Sequence, residues 1–354
     1  MTLMRGTVAI VALLGVASPL QGQGRDGVKL DSLERQLRTD SADADLHYAV
    51  AQLYIGAKRY DDADRAFRRA IEIEPRFAQA HLAISYLPFI RDEKLWKAVN
   101  RGKVSPAQEP IVEAARRSRK TAYMIDPLVN SGVVFVPWWV KVQITEAERA
   151  KLPPFFFVYR GLVLARAQEW TEAVSELQEG LARMATEVDE EDEDAEILPL
   201  VANEVRYVMA VVEMRSGRTV AATRHFQEVL TNDLGMYMAH VRLAEIHERN
   251  GAWRSAIAER QRALDTSPDD PSLVYDLGVT LARAGFLHQA DTMLTRALEL
   301  NGRNPRIPRM VGLVRQQLGD APRARAAYER FLAIAPTSFG REVAEVRAKL
   351  AALP

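Results

Sequence analysis

Cysteine is absent from the 354-residue sequence. Its absence excludes disulfide bonds, thiol catalysis, cysteine-ligated metal sites and the lipid-modified cysteine of a bacterial lipoprotein. Hydrophobic residues make up 48% of the chain, a proportion typical of a folded protein. Burial of apolar side chains must therefore supply the stability that disulfide bonds give to many exported proteins.

An excess of either charge is also lacking. Lys plus Arg and Asp plus Glu both number 47, so the formal net charge at pH 7 is zero. A chain without an overall basic field has no general attraction for phosphate backbones, which predicts that nucleic acid is not its main partner.

The apolar run at residues 7–20 is too short to span a bilayer as a relaxed helix, which needs about 20 residues. It follows Arg5, and a positive residue before a short apolar run is typical of a secretory signal peptide. We therefore predict that residues 1–22 are a signal peptide and that the protein is exported, either to the periplasm or out of the cell. An uncleaved membrane anchor is the alternative.

Motifs of catalysis are missing as well. The sequence has no phosphate-binding loop, no G-x-S-x-G motif and no H-E-x-x-H motif. Gly22, Gly24 and Gly27 have dinucleotide-loop spacing, but no strand precedes them, so we interpret the match as coincidence. His240 and His247 are two helical turns apart, too far to bind one metal ion. We predict no catalytic site, no metal and no cofactor, and hence no enzyme.

What the sequence does contain is a repeat of 34 residues. Three kinds of position keep this interval, and each has a steric reason. Glycine ends a helix at little cost, and small residues inside a helix let a second helix approach closely. The positions are the glycines Gly217, Gly251, Gly285 and Gly319, the alanines Ala222, Ala256, Ala290 and Ala324, and the small residues Ala210, Ala244, Gly278 and Gly312. They predict pairs of antiparallel helices joined by tight turns.

The pattern resembles the tetratricopeptide repeat family. The best single unit is 44–77, where Ala51, Tyr54, Ala63, Phe67, Ala70 and Pro75 match the motif. Further units are 154–185, 203–234, 237–270, 271–304 and 305–338. The resemblance implies an all-α, right-handed α-solenoid of about seven helix pairs. It also implies a protein or an extended peptide as the partner.

The second repeat is irregular. We expect Pro88 to interrupt a helix that begins at Ala78, and we expect the partner helix only at 109–126, after an insertion of about 20 residues. The predicted organisation is a linker with a capping helix (23–43), repeats one and two (44–127), an aromatic connector (128–153), repeats three to seven (154–337) with an acidic loop (186–200), and a C-terminal capping helix (338–354).

The connector carries Phe135, Trp138 and Trp139 in a β-branched, aromatic stretch that is a poor helix former. We favour the interpretation that these rings pack onto the repeats. The alternative is an exposed patch for peripheral contact with membrane or polysaccharide, which would make the protein envelope-associated. A polar pocket formed by the connector would instead indicate an accessory domain of an enzyme complex.

Residues 187–196 contain eight acidic side chains. Their mutual repulsion predicts a solvated loop. A calcium site is the alternative, but the glycine-punctuated spacing of a known calcium loop is missing. A third hypothesis is that the loop folds onto the row of arginines described next and competes there with a bound peptide.

In such a solenoid the first helix of each pair lines the concave face. The register predicts an apolar groove of Phe155, Leu162, Tyr207, Val211, Met214, Met238 and Tyr275. Beside it, Arg166, Arg215, Arg249 and Arg283 recur at one repeat position and predict a row of guanidinium groups for an acidic or carboxy-terminal peptide group. The alternative is that each arginine lies over apolar surface or pairs with a local acid such as Glu245 or Glu248. The sequence therefore favours a non-enzymatic scaffold.

Overall fold

A computed structural model of the chain describes residues 23–99, 101–129, 145–185 and 200–354. In these ranges the regular structure is helical. The α-helices are α1 Gln23–Thr39, α2 Ala44–Gly56, α3 Tyr60–Ile73, α4 Ala78–Arg91, α5 Glu93–Val99, α6 Glu109–Ile125, α7 Glu146–Arg149, α8 Pro154–Arg166, α9 Trp170–Met184, α10 Ala202–Arg215, α11 Thr219–Asn232, α12 Tyr237–Arg249, α13 Trp253–Thr266, α14 Pro271–Arg283, α15 Leu287–Leu300, α16 Arg306–Gln317, α17 Ala321–Ile334 and α18 Gly340–Ala352.

The chain forms two compact units. The first comprises Met1–Leu30, Ala51–Phe67 and Ala78–Val205, and in its described residues α8 packs on α9 and α4 packs on α6. The second contains Asp31–Val50, Arg68–Phe77 and Arg206–Pro354, and there α12 packs on α13, α14 on α15, and α16 on α17. Each of these pairs in the second unit also packs on the next one. The arrangement confirms the predicted all-α architecture of tetratricopeptide-like helix pairs.

The repeated glycines sit in the turns between paired helices, as predicted. Gly217, Gly251, Gly285 and Gly319 have φ angles of 83°, 68°, 86° and 78°. These values are in the left-handed region, which glycine enters without the steric cost of a Cβ atom. Lys58 and Gln168 take the same turn position in two earlier repeats, with φ angles of 58° and 63°. The turn geometry therefore persists where glycine is absent.

The repeated small residues lie where two helices meet. Ala210 and Ala244 have no exposed surface. A Cβ atom placed on Gly312 would lie 2.4 Å from the ring of Tyr328, and one on Gly278 would lie 2.7 Å from Leu294 Cγ. Such distances are below van der Waals contact, so a larger residue at these positions would push the helices apart.

Pro88 does not end its helix, which corrects the expectation from the sequence. Helix α4 continues to Arg91, one turn beyond the proline. Phe89, in that last turn, is buried in a cluster with Leu95 and Val99 of α5, and Val112 and Ala115 of α6. Burial of this turn offsets the hydrogen bond that a proline cannot donate. The inserted residues thus include a short helix, and the delayed second helix begins at Glu109, as predicted.

The terminal helices differ in how closely they match the sequence pattern. Helix α1 begins at Gln23, several residues before the amphipathic stretch that starts at Leu30. At the other end, Val346 of α18 is fully buried against Tyr328 and Phe331 of α17. Helix α18 therefore covers the apolar side of the last repeat.

Candidate binding surface

The four arginines predicted to form a row share one structural position: each is the last residue of a first helix. Arg166 ends α8, Arg215 ends α10, Arg249 ends α12 and Arg283 ends α14. Arg91, which the sequence analysis did not include, ends α4 in the same way. The last carbonyl groups of a helix carry a partial negative charge, which a cation stabilises by about 0.3–1 kcal/mol. The repetition of arginine therefore has a local structural cause.

The surroundings of these arginines differ along the row. Arg166 donates from Nη2 to the carbonyl oxygen of Val129 at 2.9 Å. Arg283 pairs with Glu248 at 3.2 Å and stacks over the Trp253 ring at 5.3 Å, which is the local pairing considered as an alternative. Arg215 and Arg249 are exposed.

Most of the side chains predicted to line an apolar groove are core residues. Tyr207 and Val211 have no exposed surface, and Tyr207 packs on Phe226 with ring centroids 5.8 Å apart. Leu162, Met214 and Met238 are also buried. Phe155 and Tyr275 are half-buried. Peptide binding by this set stays a prediction, and only Phe155 and Tyr275 offer substantial surface for it.

A buried charge network joins α12, α13 and α14. Arg260 of α13 is 7% exposed, and its Nη2 donates to Glu248 of α12 at 3.0 Å. Its Nη1 donates to Asp276 of α14 at 3.1 Å, and the hydroxyl of Thr280 donates to Glu248 at 2.7 Å. A buried guanidinium with two carboxylate partners fixes the distance between three helices.

Asp276 also binds a residue 200 positions earlier in the sequence. Arg76 Nη1 donates to Asp276 Oδ2 at 2.6 Å, and both side chains are mostly buried. Nearby, the amide of Asn301 donates to the carbonyl oxygens of Glu72 and Ile73, at 3.2 and 3.1 Å. The end of α3 therefore lies against the second unit's own C-terminal repeats.

Two further ion pairs belong to the same contact. Arg303 pairs with Glu72 at 3.1 Å, and Arg306 pairs with Glu74 at 3.0 Å. Burial raises the pKa of the Glu74 carboxyl although Arg306 opposes the rise. Burial also raises the pKa of the neighbouring Tyr275 to about 12. We call residues 72–76 the docking segment, and Asp276, Asn301, Arg303 and Arg306 the acceptor surface.

A second contact of this kind involves the turn between α1 and α2. The Asp40 carboxylate accepts hydrogen bonds from the backbone N–H and the hydroxyl of Thr337, at 3.1 and 2.7 Å. Asp43 accepts one from the hydroxyl of Ser338 at 2.7 Å. Burial opposes ionisation of Asp40, but the hydrogen bonds from Thr337 and Gln36 outweigh it and lower the pKa of this carboxyl. These contacts join the two sequence ends of the second unit.

A polar cleft in the first unit includes residues from the described part of the connector. Arg149 pairs with Glu176 at 2.9 Å, and Arg183 pairs with Glu179 at 2.7 Å. Arg160 lies 3.7 Å from Glu176. Because the positive and negative groups pair with one another, the cleft offers no concentrated charge for an ionic ligand.

Several predicted features lie outside the described residues. They are the signal peptide (1–22), the aromatic residues Phe135, Trp138 and Trp139, and the acidic stretch 187–196. Within the described ranges, no group of three or more histidine or acidic residues is arranged to bind a metal ion. In the same ranges, none of the helices has both the length and the apolar character to cross a membrane.

Comparisons with known proteins identify the repeat. One sequence profile of the tetratricopeptide repeat matches residues 44–77, and a second matches 207–271 and 275–339. A comparison with curated protein sequences finds no significant match.

Solved structures of MamA are similar to part of the chain at a low level. For MamA from Desulfovibrio magneticus RS-1 (residues 41 to the end), the identity is 15% and the TM-score 0.43, over 51% of this chain and 94% of that one. MamA AMB-1 is 16% identical with a TM-score of 0.39, over 50% and 89% of the two chains. Similarity at this level says nothing about function.

The family matches therefore rest on sequence, and the helix pairs described above agree with them. Tetratricopeptide repeats are protein-interaction scaffolds and are generally non-catalytic, so the coarse role of these repeats is to contact other proteins. The chain carries tetratricopeptide repeats at residues 44–77, 207–271 and 275–339.

Proposed function

We propose that this chain is an exported, non-enzymatic scaffold that binds an extended protein segment along the arginine row, through an acidic or carboxy-terminal group of that segment. The observation that carries the proposal is the placement of Arg215, Arg249 and Arg283 at the exposed ends of three successive first helices. Guanidinium groups bind carboxylates in a two-pronged geometry, and their regular spacing suits an extended peptide.

The stabilising effect of each arginine on its own helix does not compete with this role. A cation at a helix end needs only to lie near the last carbonyls, and an exposed guanidinium there keeps free directions for a carboxylate. Arg283 is less available than Arg249 because it already contacts Glu248 and Trp253. We therefore expect Arg249 to contribute more than Arg283.

The test replaces Arg215, Arg249 and Arg283 together with glutamate. The matched control replaces Arg224, Arg254 and Arg323, which are exposed on the second helices α11, α13 and α17, so that the change in net charge is identical. The probe is a fluorescent peptide of alternating glutamate and leucine with a free carboxy terminus, followed by fluorescence anisotropy. We expect at least about a tenfold loss of affinity in the row variant, the size expected for several charged contacts, and little loss in the control.

If the two variants lose affinity for the peptide equally, only net charge matters. If both keep the affinity of the unchanged chain, the row is not a binding site. Crosslinking and capture from the native cell envelope, with the same two variants, extends the test to natural partners. Export is tested separately by cell fractionation and by mass spectrometry of the mature N-terminus, where loss of residues 1–22 is expected.

A further inference from the structure

The docking segment and the acceptor surface have complementary patterns of charge. Every second residue of the segment is charged: Glu72, Glu74 and Arg76 are separated by uncharged residues. The order of charge along the chain is negative, negative, positive. The acceptor surface has the opposite charge at each place. Arg303 pairs with Glu72, Arg306 pairs with Glu74, and Asp276 pairs with Arg76. Charge order of this kind selects one direction and one register of the bound segment.

Asn301 adds recognition of the backbone. Its side chain is 7% exposed, and its amide donates to two carbonyl oxygens at the end of α3, those of Glu72 and Ile73. The last carbonyls of a helix have no partner within the helix, so a donor placed there detects a helix end and not merely a charge. Asn301 therefore favours a bound segment whose helix ends where its side chain donates.

The contact has the chemistry of a reversible interface. Charged and amide groups supply the bonds described above, and the outermost pair, Arg303 with Glu72, has side chains 61% and 54% exposed. Exposed ion pairs contribute little to stability and weaken with salt. The Nε and Nη2 atoms of Arg76 are buried and have no hydrogen-bond partner among the described residues. An unpaired buried donor has a free-energy cost, which subtracts from the stability that the segment gains by burial.

We propose that the acceptor surface is a recognition site for a protein segment that ends a helix and carries the pattern Glu-x-Glu-x-Arg, and that residues 72–76 of the chain's first repeat fill this site in cis. A partner with this pattern binds by displacing the docking segment. The site consists of other residues than the arginine row, and the two are linked where Asp276 shares Arg260 with Glu248, the partner of Arg283.

The probe for this proposal is a fluorescent peptide of residues 66–77, acetylated and amidated, titrated into the full-length chain. Arg76→Ala weakens the cis contact and leaves the acceptor surface intact. Because the apparent affinity scales with the fraction of molecules whose site is open, we expect the peptide to bind Arg76→Ala at least about tenfold more tightly than the unchanged chain. Glu72→Gln with Glu74→Gln serves as a second opening variant if Arg76→Ala does not fold.

Two controls define the site. Adding Asn301→Ala and Arg306→Glu to the opening variant removes the acceptor groups, and we expect the tight binding to be lost. A peptide of the same composition with Glu72→Arg and Arg76→Glu reverses the charge order, and we expect it to bind at least about tenfold more weakly. A variant with only Arg215→Glu and Arg249→Glu leaves the contact of Arg283 with Glu248 in place and should bind the original peptide unchanged, so this test and that of the arginine row fail independently.

Peptide binding that ignores charge order, or that survives the loss of Asn301 and Arg306 from the opening variant, overturns the proposal. So does a folded opening variant that binds no peptide at 100 µM.

Discussion

The turn between α8 and α9 and the turn between α12 and α13 have the same backbone geometry but different residues. The first has Gln168 at φ 63°, and the second has Gly251 at φ 68°. A residue with a Cβ atom is strained in this region, whereas glycine is not. The packing of the helix pair therefore imposes the turn, and glycine only lowers its cost. In the regular repeats, glycine removes this backbone strain at four successive turns. The earlier repeats have Lys58 and Gln168 at the corresponding position and keep the strain.

The two regions differ also in how their predicted groove residues are used. In the regular repeats, Tyr207 is fully buried against Phe226. In the earlier pair, Phe155 at the start of α8 is only half-buried. The register position of Tyr207 is taken in α8 by Val158, which is also buried, whereas Phe155 lies one turn nearer the start of its helix.

Replacement of these two aromatic residues gives the largest expected effect. Tyr207→Ala should lower the free energy of unfolding by about 3 kcal/mol or more, because truncation of a buried aromatic residue leaves a cavity. Phe155→Ala should cost about 1 kcal/mol, in proportion to the smaller apolar area that it buries. Urea denaturation followed by circular dichroism measures both. A Phe155→Ala variant as unstable as Tyr207→Ala would mean that Phe155 contributes as much to the core as Tyr207 does.

The helix contact at Gly312 gives the next effect. Gly312→Ala should destabilise the chain by about 2 kcal/mol, since a Cβ atom there would lie 2.4 Å from the ring of Tyr328 and force repacking. Gly340→Ala is the matched control, because no atom lies within 4 Å of its Cβ position. Thermal unfolding of both variants checks the expectation. If Gly312→Ala is as stable as the control, the small residue is not required for close packing.

Much of the fold was accessible from the sequence because the constraints that define it are local and repeated. The 34-residue spacing of Gly251 and Gly285 follows from one turn geometry, and the small residues follow from one helix contact. The sequence pattern gives the wrong result at Pro88 because the hydrogen bond that proline loses is a local effect. The stabilisation that offsets this loss comes from Phe89 packing on two other helices. Residue spacing along the chain does not reveal such long-range packing.

The candidate surfaces were only partly accessible for a related reason. The recurrence of Arg215 and Arg249 was visible, but their common place at helix ends appears only once the helix bounds are known. The acceptor surface was missed altogether, because its groups meet residues 200 or more positions away, as Asn301 meets Glu72. Its sequence signal, the alternation of Glu72, Glu74 and Arg76, has no meaning without the residues that it faces.

The smallest expected effect tests the comparison of turns directly. Gln168→Gly should raise the free energy of unfolding by roughly 1 kcal/mol, because it relieves a left-handed side-chain conformation, and the greater freedom of glycine in the unfolded chain subtracts from this gain. Gly251→Ala should lower it by a similar amount, about 1 kcal/mol, by introducing the same strain. Both are measured by urea denaturation. If both substitutions destabilise, the turn at Gln168 is held by contacts of its side chain, and the residue is then more than a tolerated substitute for glycine.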